Sequence, residues 1–128
     1  MTEVVVFDAS VVLAFARREP GTDRLLPLRG HALLSAVNAA EVYAKLLAAG
    51  LSESQVADGL RAVTQRLVPF DDEQCRLTGA IHAATRPHGL SLADCACLAL
   101  GRLRAATVFT ADRAWGGLDL GVAVELIR

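Results

Sequence analysis

No stretch of the 128-residue sequence approaches the roughly 20 apolar residues of a membrane span, although 53% of the residues are hydrophobic and mean hydropathy is +0.39. Membrane insertion is therefore not expected. The first residues, Met1-Thr2-Glu3, carry no basic cluster, and Asp8 interrupts the first apolar run, which argues against a secretory signal. A cytoplasmic location follows as the expectation. Lysine is almost missing: of 13 basic residues only Lys45 is a lysine and the rest are arginine, a residue suited to bidentate phosphate and carboxylate contacts. The formal net charge is −1, so no global field attracts a polyanion.

Cysteine is scarce and odd in number. Cys75, Cys95 and Cys97 leave one thiol over in any disulfide scheme, so all three are expected free. Cys95 and Cys97, two apart on a helix, point to nearly opposite faces and are poorly placed to share a metal. His31, His82 and His88 form no metal-binding spacing, and no glycine-rich loop ends in Lys followed by Ser or Thr. Zinc-hydrolase and P-loop chemistry lose their motifs with these absences.

What the chain does have is alternation. Its length fits one domain, 1–128, without linkers or low-complexity segments. Glu3–Phe7 reads as a buried strand, followed by a helix from about Ser10 to Arg17, a break at Pro20-Gly21 and a short helix near Asp23–Leu28. His31–Ala36 is a second strand. Asn38 is expected to cap a helix ending at Gly50, and Ser52 with Gln55 to open another that runs through Leu67. Val68-Pro69-Phe70 reads as a short extended piece. Asp71 or Asp72 starts a helix to about Thr85, Arg86–Gly89 turns, and Ser91 caps Leu92–Arg104. Thr107–Thr110 and the alternating tail Val122–Ile127 complete an α/β pattern with a central parallel sheet.

That pattern sends four acids to one rim. Asp8 ends the first strand and Asp112 follows a later one. Glu41 and Asp94 lie in the first turns of helices that, in a parallel sheet, start or end beside the same edge. Singly, each has an ordinary account: Asp8 and Asp112 as caps or turn residues, Glu41 and Asp94 as third positions of capping boxes. Jointly they point to a crevice where a divalent cation offsets their repulsion, and oxygen donors without His or Cys indicate magnesium, with manganese as a substitute. One ion between Asp8 and Asp94, or a second near Asp112, both remain open.

The stretches Val5-Val6-Phe7-Asp8-Ala9-Ser10, Asn38-Ala39-Ala40-Glu41-Val42, Ser91-Leu92-Ala93-Asp94 and Thr110-Ala111-Asp112-Arg113-Ala114-Trp115 resemble the PIN-domain ribonucleases, in particular VapC-type toxins of bacterial toxin–antitoxin pairs. They stand in family order and span nearly the whole chain. The resemblance implies a PIN-like three-layer α/β/α sandwich, Mg²⁺-dependent endoribonuclease activity on RNA, and neutralisation by a cognate antitoxin protein. Asp8, Glu41, Asp94 and Asp112 match the family's acidic residues, and Ser10, Asn38 and Thr110 its supporting polar positions. Asp8 and Asp94 are the primary metal ligands expected. Glu41 is left as ligand, holder of a metal-bound water or general base, and Asp112 as completing the cluster.

Competing α/β hydrolases fit less well. A haloacid-dehalogenase-like phosphatase needs a second acid where Ser10 stands, and a receiver domain needs a lysine after a late strand. A non-catalytic PIN-like module that binds RNA or protein is the alternative from another class. The excess of apolar residues, seen in Ala44, Leu47, Ala48, Leu51 and Val56, points to partner surface, as a homodimer and with an antitoxin segment laid in a groove.

Overall fold

The computed structural model describes residues 3–128; Met1 and Thr2, on which the reading of the N-terminal segment partly rests, lie outside the described residues. Strand β1 (Val5–Phe7) leads into helix α1 (Ala9–Ala16), and a 3-10 turn over Asp23–Leu28 precedes β2 (Ala32–Ser35). Helices α2 (Ala36–Ala48) and α3 (Glu53–Val63) connect to β3 (Thr64–Val68), and α4 (Asp72–Thr85) and α5 (Leu92–Arg104) to β4 (Val108–Thr110). A short 3-10 turn at Arg113–Trp115 then reaches β5 (Val124–Leu126). All neighbouring strands pair in parallel, in the order β3-β2-β1-β4-β5.

The short apolar strands form because both faces of the sheet are buried, which is why they read as unbroken hydrophobic runs. Val5, Phe7, Ala32, Leu34 and Phe109 pack on one side with Val12 of α1, Val42 of α2 and Leu60 of α3. Val6, Leu33 and Val108 face the opposite side, where Ile81 of α4 and Leu98 of α5 cover them. The period-2 alternation of strand side chains thus divides the core into two halves around a central sheet, giving the α/β/α layers expected. No helix among the described residues is long and apolar enough to cross a membrane.

Three local expectations need correction. The strand before α2 passes into helix without a loop, so Ser35 is the N-cap, its hydroxyl accepting from Val37 N, and Asn38 lies inside the helix, fully buried. Glu41 consequently sits in the second turn rather than the first. Helix α3 stops at Val63: Thr64 is already extended (φ −114°, ψ 154°), and its hydroxyl donates to Leu60 O, closing the last turn while the chain pairs with β2. Leu67, expected on the apolar face of that helix, stands exposed on an edge strand. Val56, expected on a partner surface, is core.

Candidate active site

Reversal of strand order fixes where the crevice falls. From β1 the chain steps outward to β2 and β3, then returns to the other side of β1 with β4 and β5. Beyond the carboxyl ends of β1 and β4, connections therefore diverge and leave a gap, the usual ligand position in an open parallel sheet. A polar crevice of about 290 Å³ opens there, and its walls include all four acids, Asp8, Glu41, Asp94 and Asp112, together with Ser10.

Asp8 is the innermost of them, only 4% exposed. Its backbone occupies the N-cap position of α1, yet its side chain makes no capping bond. Instead Ser10 Oγ and Thr110 Oγ1 both donate to the same oxygen, Oδ2, at 2.6 and 3.1 Å. Backbone amides hold those hydroxyls in turn: Ala111 N donates to Ser10 Oγ and Asp112 N to Thr110 Oγ1. The two strand ends are thereby tied together through one carboxylate oxygen. Burial pushes the Asp8 carboxyl up to about 6; the charges of Asp94 and Glu41 add to the rise, while the bonds from Ser10 and Thr110 oppose it.

The other three acids are each anchored on one side. Asn38 Nδ2, buried between helices, donates to Glu41 Oε1 at 2.9 Å and to Ala93 O at 3.1 Å, linking α2 to the first turn of α5 beside Asp94. Asp94 Oδ2 accepts from Ser91 N while Ser91 Oγ accepts from Asp94 N, a complete capping box. Asp112 Oδ1 accepts from Ala114 N at the head of the last 3-10 turn. In every case the second oxygen of the carboxylate accepts no hydrogen bond from the described residues. In Asp94 and Asp112 one oxygen thus caps a helix start while the other stays without a partner among the described residues.

The fully buried thiol of Cys97, on α5, is pushed well above its ordinary range by burial first and then by the charges of Asp8, Asp94 and Glu41. Cys95 is also buried, and neither forms a disulfide, as expected of both. Among the described residues, however, no three His, Cys, Asp or Glu side chains stand close enough together to count as a metal-holding group. The crevice gathers the acids as a ring of separate anchors rather than a closed cage. Its carboxylate oxygens, and a buried Asp8 carboxyl without a cationic partner among the described residues, fit a hard divalent ion that keeps several waters.

Arg17, Glu19, Lys45 and Arg128 also line the crevice, and sequence reasoning placed none of them there. Only Lys45 left a signal there, one helical turn beyond Glu41. Arg128 donates to Glu19 Oε1 and to Pro20 O, so the chain's end folds over the loop after α1. That loop is tightly fitted: Gly21 has φ +96°, and a Cβ there would overlap the carbonyl of Ile127.

A switch-point crevice lined by carboxylates on a β3-β2-β1-β4-β5 parallel sheet has a counterpart in known sequence, for the PIN domain model matches residues 5–119. The chain belongs to the PIN domain family. Among solved structures it is similar to a chain of VapBC-5, a member of the VapBC family of toxin-antitoxin systems from Mycobacterium tuberculosis, at 25% identity over 99% of both chains with a TM-score of 0.65. A chain of a toxin-antitoxin complex from Klebsiella pneumoniae, 13% identical over 97% of this chain and 98% of its own, superposes with a TM-score of 0.73. A chain of DNA-bound VapBC from Salmonella typhimurium gives the same TM-score at 15% identity, covering 99% of this chain and all of its own. No curated protein matches the sequence significantly.

Proposed function

We propose that this chain is a Mg²⁺-dependent endoribonuclease acting as the toxin of a type II toxin–antitoxin pair. The observation that carries the reading is the crevice itself: at the switch point Glu41, Asp94 and Asp112, each anchored through one oxygen with the other unpartnered among the described residues, surround the buried Asp8. Asp8 and Asp94 would hold the ion, with Glu41 and Asp112 completing the acidic surround. A bound divalent ion supplies a water of lowered pKa and offsets charge on the phosphoryl oxygens. Ser10 and Thr110 fix the rotamer of Asp8, Asn38 fixes Glu41 against α5, and the open oxygens of Glu41 and Asp112 are left to orient water or accept its proton. Membership of the PIN family and likeness to chains of toxin–antitoxin complexes support the nuclease-toxin reading.

The partner reading extends to a cognate antitoxin and a homodimer. A largely apolar depression of about 310 Å³ between α1, α2 and α3, lined by Val12, Phe15, Leu46, Leu51 and Leu60, suits the apolar stripe of an antitoxin helix. Expression of the chain in a bacterial host should arrest growth, and co-expression with a small neighbouring reading frame should relieve it. For the metal, Mg²⁺ should raise the melting temperature of the wild type and leave that of the Asp8→Asn, Asp94→Asn double variant unmoved. Equal shifts in both would remove these acids from the ion's shell.

A further inference from the structure

Three basic side chains line the acidic crevice, and they differ in how they are held. Arg128 is tied to Glu19 and Pro20 O. Arg17, at the end of α1, and Lys45, on α2, form no ion pair and no side-chain hydrogen bond with the described residues. For Lys45 this is notable, since Glu41 precedes it by four residues on the same helix, in the orientation that favours pairing. Glu41 is turned instead to the Asn38 amide. Two exposed cations, unpaired among the described residues, therefore stand on the crevice wall.

We propose that Arg17 and Lys45 are positioning residues that bind the backbone phosphates flanking the scissile one in a single-stranded RNA. The assignment rests on the nuclease reading above and deepens it. Asp8 is recessed and the crevice is small, so the backbone must be drawn inward, which a flexible single strand allows and a regular duplex resists. The acids, once neutralised by a cation, no longer repel the strand, and the two free cations set its path along the α1–α2 wall. Contacts to phosphate fix register and carry no base preference. Arg17 and Lys45 thus serve affinity for any sequence rather than choice among sequences.

The test uses the full-length chain with Asp8→Asn to block cleavage, a fluorescein-labelled single-stranded RNA, Mg²⁺, and anisotropy from about 50 to about 200 mM KCl. Adding Arg17→Gln or Lys45→Gln should each reduce the slope of log K against log salt by about 0.7, and both together by about 1.4, for RNAs of different sequence. Arg104→Gln, at the opposite end of α5, ten residues and about 15 Å from Asp94, should leave the slope unchanged. In the otherwise wild-type enzyme the two substitutions should raise KM several-fold while kcat stays within about twofold. An unchanged slope in the double variant, or an equal loss with Arg104→Gln, overturns the assignment while leaving the nuclease reading in place. If the Asp8→Asn parent holds no RNA but the wild type cleaves, the salt dependence of kcat/KM replaces the slope with the same expectations. A folded wild type that neither binds nor cleaves RNA overturns both.

Discussion

Asp8 is the site acid whose protonation folding shifts most clearly. Its folded carboxyl, near 6, holds a proton that the unfolded carboxyl, near 3.8, has already lost between about pH 4 and pH 6. The contribution to stability is therefore full below about pH 4 and falls away as pH rises through about 6, a loss on the order of 3 kcal/mol for the metal-free protein. Asp8→Asn should flatten that part of the pH–stability curve and stabilise the metal-free chain at neutral pH, because an amide oxygen still accepts from Ser10 and Thr110. Denaturant melts at pH 4 and pH 7 in EDTA measure it directly; an Asn variant as pH-dependent as the wild type would place the burden elsewhere. Asn38→Ala should behave differently, losing the bonds to Glu41 and Ala93 O inside a buried joint, at about 1 to 3 kcal/mol. Nuclease activity should fall with it, as Glu41 loses its anchor.

Element boundaries explain which parts of the site were readable in the sequence. Asp94 was placed correctly because Ser91 and Asp94 satisfy each other within four residues, a signal entirely local to the helix start. The same rule misplaced Asn38, for nothing nearby reveals that Ser35 caps α2 at the very end of a strand, or that the Asn38 amide is needed by another helix. Strand β3 was hidden for a similar reason, since Gln65, Arg66 and Leu67 are exposed on an edge and carry no buried-strand pattern. Arg17 reaches the crevice through the packing of α1 against α2, a tertiary fact with no sequence period, whereas Lys45 follows Glu41 by one helical turn. Helix α5 offers a test at this scale. A Cβ at Gly101 would overlap Val108 Cγ2, itself fully buried in β4, so the glycine sets how closely the helix lies on the sheet. Gly101→Ala should cost about 1 to 3 kcal/mol of stability by overpacking, read from urea melts, whereas Gly79→Ala on α4, with open space around it, should not destabilise.

Taken whole, the molecule is a parallel sheet whose strand order makes the site. All four acids come from connections at one rim, and the order β3-β2-β1-β4-β5 puts the switch point between the strands that carry Asp8 and Asp112. Buried apolar runs alternating with helical segments made the layers legible, whereas the order of the strands, set by long-range pairing, had no counterpart in the sequence reading. The central claim is that this rim hydrolyses RNA with a divalent cation, and one measurement bears on it most directly. Purified full-length chain, freed of any partner, is incubated with single-stranded RNA in Mg²⁺, in EDTA, and in Mg²⁺ with Asp8→Asn in place of the wild type. The account predicts cleavage in the first reaction alone, with activity restored when Mg²⁺ or Mn²⁺ is returned to the chelated sample. Equal cleavage in EDTA, or wild-type rates from the folded Asp8→Asn variant, would contradict it.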